Sequence, residues 1–312
     1  MSRGPLPALA VGVLALLAWA AFALFDLSAA LQGWWTAFVF ASGVPLGALA
    51  WLLIRRLVGG DWGEAFAPEL EPAARAAPLL VLLVLPGLIG APWVFRWAAE
   101  PAAVEAQVRH AWLNGVSVGV RDVALLVALA AFAWRLPRIE GPRGRLLAGL
   151  GLVVYGVAVT LFAVDWVLDV QPNYTSSAAG MELATQQLAA ALAFAGLQGA
   201  ARPAKYPAGD LAALLFACLV GLIYLGFMSY LVVWYGDRPD PDRWYVLRTF
   251  TPWRFAVWVA LIAGFVAPAA LLAFRRGLGT RRALRWASAS ALCGLGALVV
   301  WQVGATMAPL AL

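Results

Sequence analysis

Nine runs of about twenty apolar residues follow one another along the chain, at roughly 6–25, 29–54, 77–97, 116–135, 145–167, 176–201, 209–235, 254–274 and 284–308, each long enough to cross a bilayer as a helix. Lipid offers a backbone no hydrogen-bond partner, so such runs cross as helices, which satisfy their own peptide groups. The fold class that follows is all-α integral membrane: a polytopic helical bundle with about nine transmembrane helices. The 63% apolar and 12% charged content of the 312 residues sits far from the roughly 25% charged residues of a soluble domain. Residues 1–312 therefore read as one transmembrane domain, with a connecting segment at 55–76 and a second loop at 236–253. The first span follows Arg3 and contains Ala21-Phe22-Ala23, so a cleaved signal peptide is the alternative reading for that stretch.

Loop charges orient the bundle. Fifteen Lys and Arg fall on the side that carries Arg3 and the 55–76 segment, six on the side of the 236–253 loop, and Arg121 lies within a span. Positive loops stay inside, which predicts a cytoplasmic N-terminus, a periplasmic C-terminus, and 236–253 as the outer loop. The basic balance, +6 with a pI near 9.8, reads as topology rather than as nucleic-acid binding. Trp244 and Tyr245 in the outer loop read as headgroup anchors. Pro86, Pro92 and Pro268 interrupt spans and predict kinks or breaks, because proline removes a backbone donor.

Several chemistries are excluded by count. His110 is the only histidine and Cys218 and Cys293 the only cysteines, so neither a bis-histidine haem nor a four-cysteine cluster can form within this chain. No metal site is expected. Gly59-Gly60-Asp61 lacks the lysine of a phosphate loop, and no nucleophile is placed beside His110 for a hydrolytic triad.

The informative residues are the charges inside the spans, since each costs about 2.5–3.5 kcal/mol or more to insert. Arg121 and Asp122 lie about six residues in from the outer end of the fourth span, roughly 9 Å deep at 1.5 Å per residue. Neighbours in sequence do not face each other on a helix, so Arg121 is expected to seek a carboxylate elsewhere. Asp165 and Asp169 close the fifth span on the same side, Glu182 opens the sixth with Thr185 and Gln186 on its face, and Tyr230, with Tyr224 deeper, ends the seventh. The expectation is one shared polar pocket at this level. Three readings remain open: ion pairs that fix packing, a headgroup site for a lipophilic ligand, and a proton relay.

Four separated stretches carry a resemblance. Gly59-Gly60-Asp61-Trp62-Gly63; Trp112-Leu113-Asn114 followed by Arg121; Asp165-Trp166 with Pro172 and Ser176; and the aromatic series Tyr224, Phe227, Tyr230, Trp234, Tyr235, Pro239, Trp244, Tyr245 and Arg248 resemble, in order and spacing, the second quinone-associated, polysulfide-reductase-like (NrfD-like) membrane subunit of bacterial alternative complex III, a quinol:cytochrome c oxidoreductase. The resemblance implies NrfD-like four-helix bundles and a place in the bacterial inner membrane. It also implies respiratory partners: a homologous membrane subunit, an iron–sulfur subunit, haem c subunits and a neighbouring terminal oxidase. Haem c and iron–sulfur clusters would belong to those partners, no cofactor to this chain, and a quinone is left open. Asn173, Tyr174 and Ser229 depart from the family's usual His, Trp and Gln, and the family's tenth span is missing. Without that histidine, the expectation is a non-catalytic subunit serving assembly or proton movement. A stand-alone proton-coupled secondary transporter and a purely structural assembly subunit are the alternatives.

Overall fold

The computed structural model describes residues 6–170, 174–199, 208–236 and 239–305. Among them the chain is helical throughout. α1 (Leu6–Ala23) and α2 (Leu27–Val58) are joined by a turn whose Asp26 accepts a hydrogen bond from the Ala29 amide at 2.9 Å, capping α2. After α2 the backbone takes positive φ at Gly59 and Gly60, 72° and 97°, which only glycine adopts without strain. The chain thereby turns into α3 (Asp61–Ala74).

The next stretch is broken into α4 (Ala77–Leu83), α5 (Leu85–Ile89), α6 (Ala91–Val94) and α7 (Arg96–Ala99). Pro86 and Pro92 sit at the starts of α5 and α6, where a missing amide costs least. α8 (Ala106–Ala111) leads to α9 (Gly115–Arg135), and α10 (Gly141–Ala163) runs on through a π-type turn at Val164–Leu168. α11 (Ala179–Gly199), α12 (Ala208–Gly236) and the short α13 (Pro239–Thr249) follow. α14 (Arg254–Leu261) passes through a second π-turn, Ile262–Val266, into α15 (Ala267–Ala273), with Pro268 just beyond it. α16 (Arg275–Leu278) and α17 (Thr280–Val299) follow as the last described helices, with a third π-turn at Val300–Gly304.

Seven of the described helical stretches are long and apolar enough to cross a membrane. Two of the nine expected runs are not among them. α1 is apolar along all of Leu6–Ala23, but its side chains are described only from Ala10, and Ala10–Ala23 alone is shorter than a span; its flank is open, with Val11, Leu14 and Leu17 exposed, and Trp19 ties it to α2 through the Ala30 carbonyl and the Trp34 ring. α11 fails on polarity, because it carries Glu182, Thr185, Gln186 and Gln187. It is nevertheless the axis of the bundle, packed by α2, α10, α12 and α17.

The boundary of the third run also differs. The membrane-length stretch here is Phe66–Ile89, so half of the 55–76 segment belongs to it. The reason is packing: Phe66 and Leu70 of α3 are buried in the same core as α2 and α4.

α11 accepts four neighbours because its inward positions are small. Ala189, Ala191, Ala193 and Ala195 are fully buried, and where α2 crosses, a Cβ on Gly47 would lie 1.9 Å from the Gln187 carbonyl oxygen. Small residues at such crossings let backbones approach, which is how helices pack when lipid removes the hydrophobic drive. Gly47→Leu is therefore expected to destabilise the fold by about 3 kcal/mol or more, whereas Gly33→Leu, which meets nothing within 4 Å, should leave it near wild type. Thermal unfolding in detergent compares the two.

Candidate functional site

The intramembrane charges separate into two sites instead of the one pocket expected. Depth along a helix was readable from sequence, but the direction each side chain faces depends on how the helices are rotated against one another.

The first site lies between α9 and the π-turn after α10. Asn114 caps α9, its Oδ1 accepting from the Ser117 amide at 2.8 Å while its Nδ2 donates to the Arg109 and His110 carbonyls. Two turns on, Arg121 makes a bidentate pair with Asp165, Nε donating to Oδ2 at 2.8 Å and Nη2 to Oδ1 at 2.6 Å. The guanidinium also lies 3.9 Å over the Trp112 ring, a cation–π contact that compensates part of its lost hydration. Asp165 is fully buried and Arg121 nearly so, with 0% and 13% of their side chains exposed. Asp122, buried, accepts the Trp166 indole N–H at 2.9 Å on one oxygen; its other oxygen has no hydrogen-bond partner among the described residues.

An aromatic wall closes this site from behind. Trp35 donates its indole N–H to the Trp166 carbonyl and packs on Phe38, Phe95 and Trp166, while Trp166 stacks on Phe162 at 4.0 Å. Gly87 is glycine because a Cβ there would lie 2.2 Å from the Trp35 ring. The π-turn, held by the Asp169 amide on the Val164 carbonyl at 2.8 Å, brings Asp169 to the same cluster. One guanidinium thus faces three carboxyls. Two negative charges would remain if all were ionised, which a low-dielectric site opposes.

Asp169 sits one residue past the span, and burial pushes its carboxyl up to about 7, with the Asp165 charge adding to the rise and Arg121 opposing it.

The second site is framed by α11, α12, α13, α14 and α17. Glu182 accepts a short hydrogen bond from the Ser229 hydroxyl, and Tyr230 and Ser176 line the same cavity; none of Arg121, Asp122, Asp165 or Asp169 does. Over it α13 lays an aromatic lid. Trp244 stacks on Tyr174 at 4.4 Å, Tyr245 meets the Tyr174 hydroxyl at 3.3 Å and the Tyr230 ring at 5.3 Å, and Trp301 closes the far side. Burial raises both Tyr174 and Tyr245, so both hydroxyls stay protonated.

Trp244 is buried and Tyr245 half-buried, so the expected headgroup anchors are instead part of the protein's interior. The reason is Arg248: fully buried, stacked 3.6 Å from Trp244, and donating to the Trp244, Trp301 and Gln302 carbonyls at 2.9–3.0 Å. It pins α13 onto the carbonyl end of the last helix, where a cation is favoured.

Of the other motif residues, Gly63 lies under the Arg55 side chain, and Trp234, Tyr235 and Tyr224 are exposed on α12. Pro172 and Asn173 lie outside the described residues, as do the side chains of Trp62 and Pro239. Gln302 and Trp301, which complete the second site, carried no sequence signal, because a Gln and a Trp near a chain end are ordinary. No family model matches the chain, and no curated protein does.

A carboxyl that keeps its proton to about pH 7 when folded, but loses it near ~4 when unfolded, makes the fold less stable as pH rises between those values. Asp169→Asn removes that decline. The variant should gain melting temperature over wild type between pH 5 and pH 8, and parallel melting curves for the two proteins would contradict the assignment.

Proposed function

We infer that this chain is an integral membrane component of an alternative-complex-III-like quinol:cytochrome c oxidoreductase, in the bacterial inner membrane with its N-terminus cytoplasmic and about nine spanning helices. In this reading α1 and α11 cross with the seven apolar stretches, α11 shielded from lipid by its neighbours. Redox chemistry belongs to the haem c and iron–sulfur partners. This chain contributes assembly and a proton-holding cluster near the periplasmic face.

The observation that carries the reading is the Arg121–Asp165 pair with Asp122 and Asp169 beside it. Arg121 and Asp165 belong to the motifs that carry the family resemblance. A buried pair alone would serve packing; two further carboxyls, each with an oxygen that has no partner among the described residues, go beyond what packing asks and supply places for protons to rest. A quinone-oxidising role is not part of the proposal, since Asn173 stands where the family has histidine and offers no base near neutral pH.

The test is purification of the tagged full-length chain in mild detergent from its native membrane. The proposal predicts c-type haem absorbance and a second membrane protein of similar fold in the same peak. Asp122→Asn should assemble equally well yet lower proton release per electron in reconstituted vesicles. A colourless chain recovered alone would overturn the proposal and favour the proton-coupled transporter, whose broken helices at Leu85–Val94 and Ile262–Val266 are of a kind that transporters use.

A further inference from the structure

The Gly59–Gly63 turn contributes to neither site described above and lies at the other end of the bundle. Arg121 and Leu136 are fifteen residues apart on α9 and its extension, roughly 22 Å at 1.5 Å per residue. At the Leu136 end, the last turn of α2, the start of α3 and the connection from α9 to α10 enclose a cavity of about 200 Å³. Its wall includes Arg55, Arg56, Gly59, Gly60, Glu71 and Leu136.

Each guanidinium is positioned by the fold yet left with donors to spare. The Arg55 stem crosses Gly63 so closely that a Cβ there would lie 2.3 Å from its Cγ, while its head makes no hydrogen bond or ion pair among the described residues. Arg56 lies against Gly144 at the start of α10 and donates from Nη2 to the Leu136 carbonyl at 2.9 Å. A guanidinium carries five N–H donors, so that one bond leaves most of the fork open. Glu71, the one carboxylate among the residues of the wall, is paired with Arg75 at 3.6 Å. Two cations thus share one small cavity, and like charges so placed oppose each other until an anion joins them.

The backbone adds to the same field. Gly60 precedes α3 and offers its first amides no side-chain cap, so the positive end of that fourteen-residue helix lies at the cavity wall. The surroundings mark the headgroup level of a bilayer. Trp134, exposed two residues before Leu136, lies 4.9 Å from the Arg138 guanidinium, as interfacial aromatics do. Leu57 and Val58, next to Gly59, and Leu146 on α10 are bare apolar surface.

We propose that this cavity binds the phosphate of an anionic head, gripped between Arg55 and Arg56 beside the Gly59–Gly60 backbone. Guanidinium forks match phosphate oxygens in geometry as well as charge, and basic pockets between membrane helices take acidic lipid heads. The volume suits one head group, below the roughly 300–1,000 Å³ of drug-sized pockets. An anionic phospholipid and free inorganic phosphate share this chemistry. The exposed apolar residues beside the cavity favour the lipid, whose acyl chains would lie along them.

The test titrates the full-length chain, purified in a neutral maltoside detergent, with dioctanoyl phosphatidylglycerol, dioctanoyl phosphatidylcholine and inorganic phosphate by isothermal titration calorimetry. Phosphatidylglycerol should saturate at one per chain, and phosphatidylcholine should bind at least about tenfold more weakly. Inorganic phosphate that fails to compete assigns the site to a lipid; inorganic phosphate that binds as tightly assigns it to the free ion. Arg55→Gln and Arg56→Gln should each weaken binding about tenfold, the equivalent of one charge-assisted hydrogen bond. Arg55→Gln should also melt like wild type, since its head makes no bond within the described fold. Arg285→Gln, which removes an exposed cation outside the cavity, should bind like wild type. The proposal is overturned if neither phosphatidylglycerol nor inorganic phosphate saturates, or if phosphatidylcholine binds as tightly as phosphatidylglycerol. It is equally overturned if folded Arg55→Gln binds like wild type, or if Arg285→Gln weakens binding as much. These outcomes are read on the chain whether or not haem proteins co-purify, so they stand apart from the respiratory reading.

Discussion

Within a bilayer a polar side chain has no water to turn to, and that constraint organises the whole molecule. It explains why α11, with its glutamate and glutamines, is enclosed by four other helices. α11 carries Glu182, Gln186 and Gln187, and each is met from another element: Ser229 on α12 for Glu182, Gln302 on the last π-turn for Gln186, Tyr155 on α10 for Gln187. The alanines between them keep the four surrounding helices close enough to reach. The same constraint puts Arg121 under Trp112 and against Asp165, and folds Arg248 onto three backbone carbonyls.

Much of this was legible in the sequence. Apolar run lengths gave the fold class, Pro86 and Pro92 marked a broken stretch, and Arg121 was expected to find a carboxylate elsewhere. What was not legible depends on rotation and on distant partners. Equal depth in the membrane suggested that Glu182 and Tyr230 join Asp165, yet they face the other side of the 164–168 segment. Trp244 and Tyr245 have the composition of interfacial anchors, and only the fold of α13 under Arg248 turns them inward. Hydropathy likewise undervalues α11, because an average over residues does not know what surrounds a helix.

The 164–168 turn is the element common to both sites. Asp165 and Trp166 face the carboxyl cluster, while Val167 and Leu168 face the aromatic cavity. A regular α-turn would close the helix on itself at this point. The π-turn instead frees the Trp166 carbonyl for Trp35 and carries Asp169 round to its cluster. Backbone irregularity in a membrane helix is tolerated where neighbouring protein satisfies it, and Trp35 does so here.

Arg121 and Asp165 are held inside the membrane as a mutually dependent pair, and the rest of the carboxyl cluster rests on that dependence. Equilibrium unfolding of Arg121→Leu, Asp165→Leu and the double variant in detergent measures it most directly. Each single change should cost about 3–5 kcal/mol by stranding the other charge, and the double change should recover most of the loss. Near-neutral single variants, or a double variant whose loss equals the sum of the two, would contradict it.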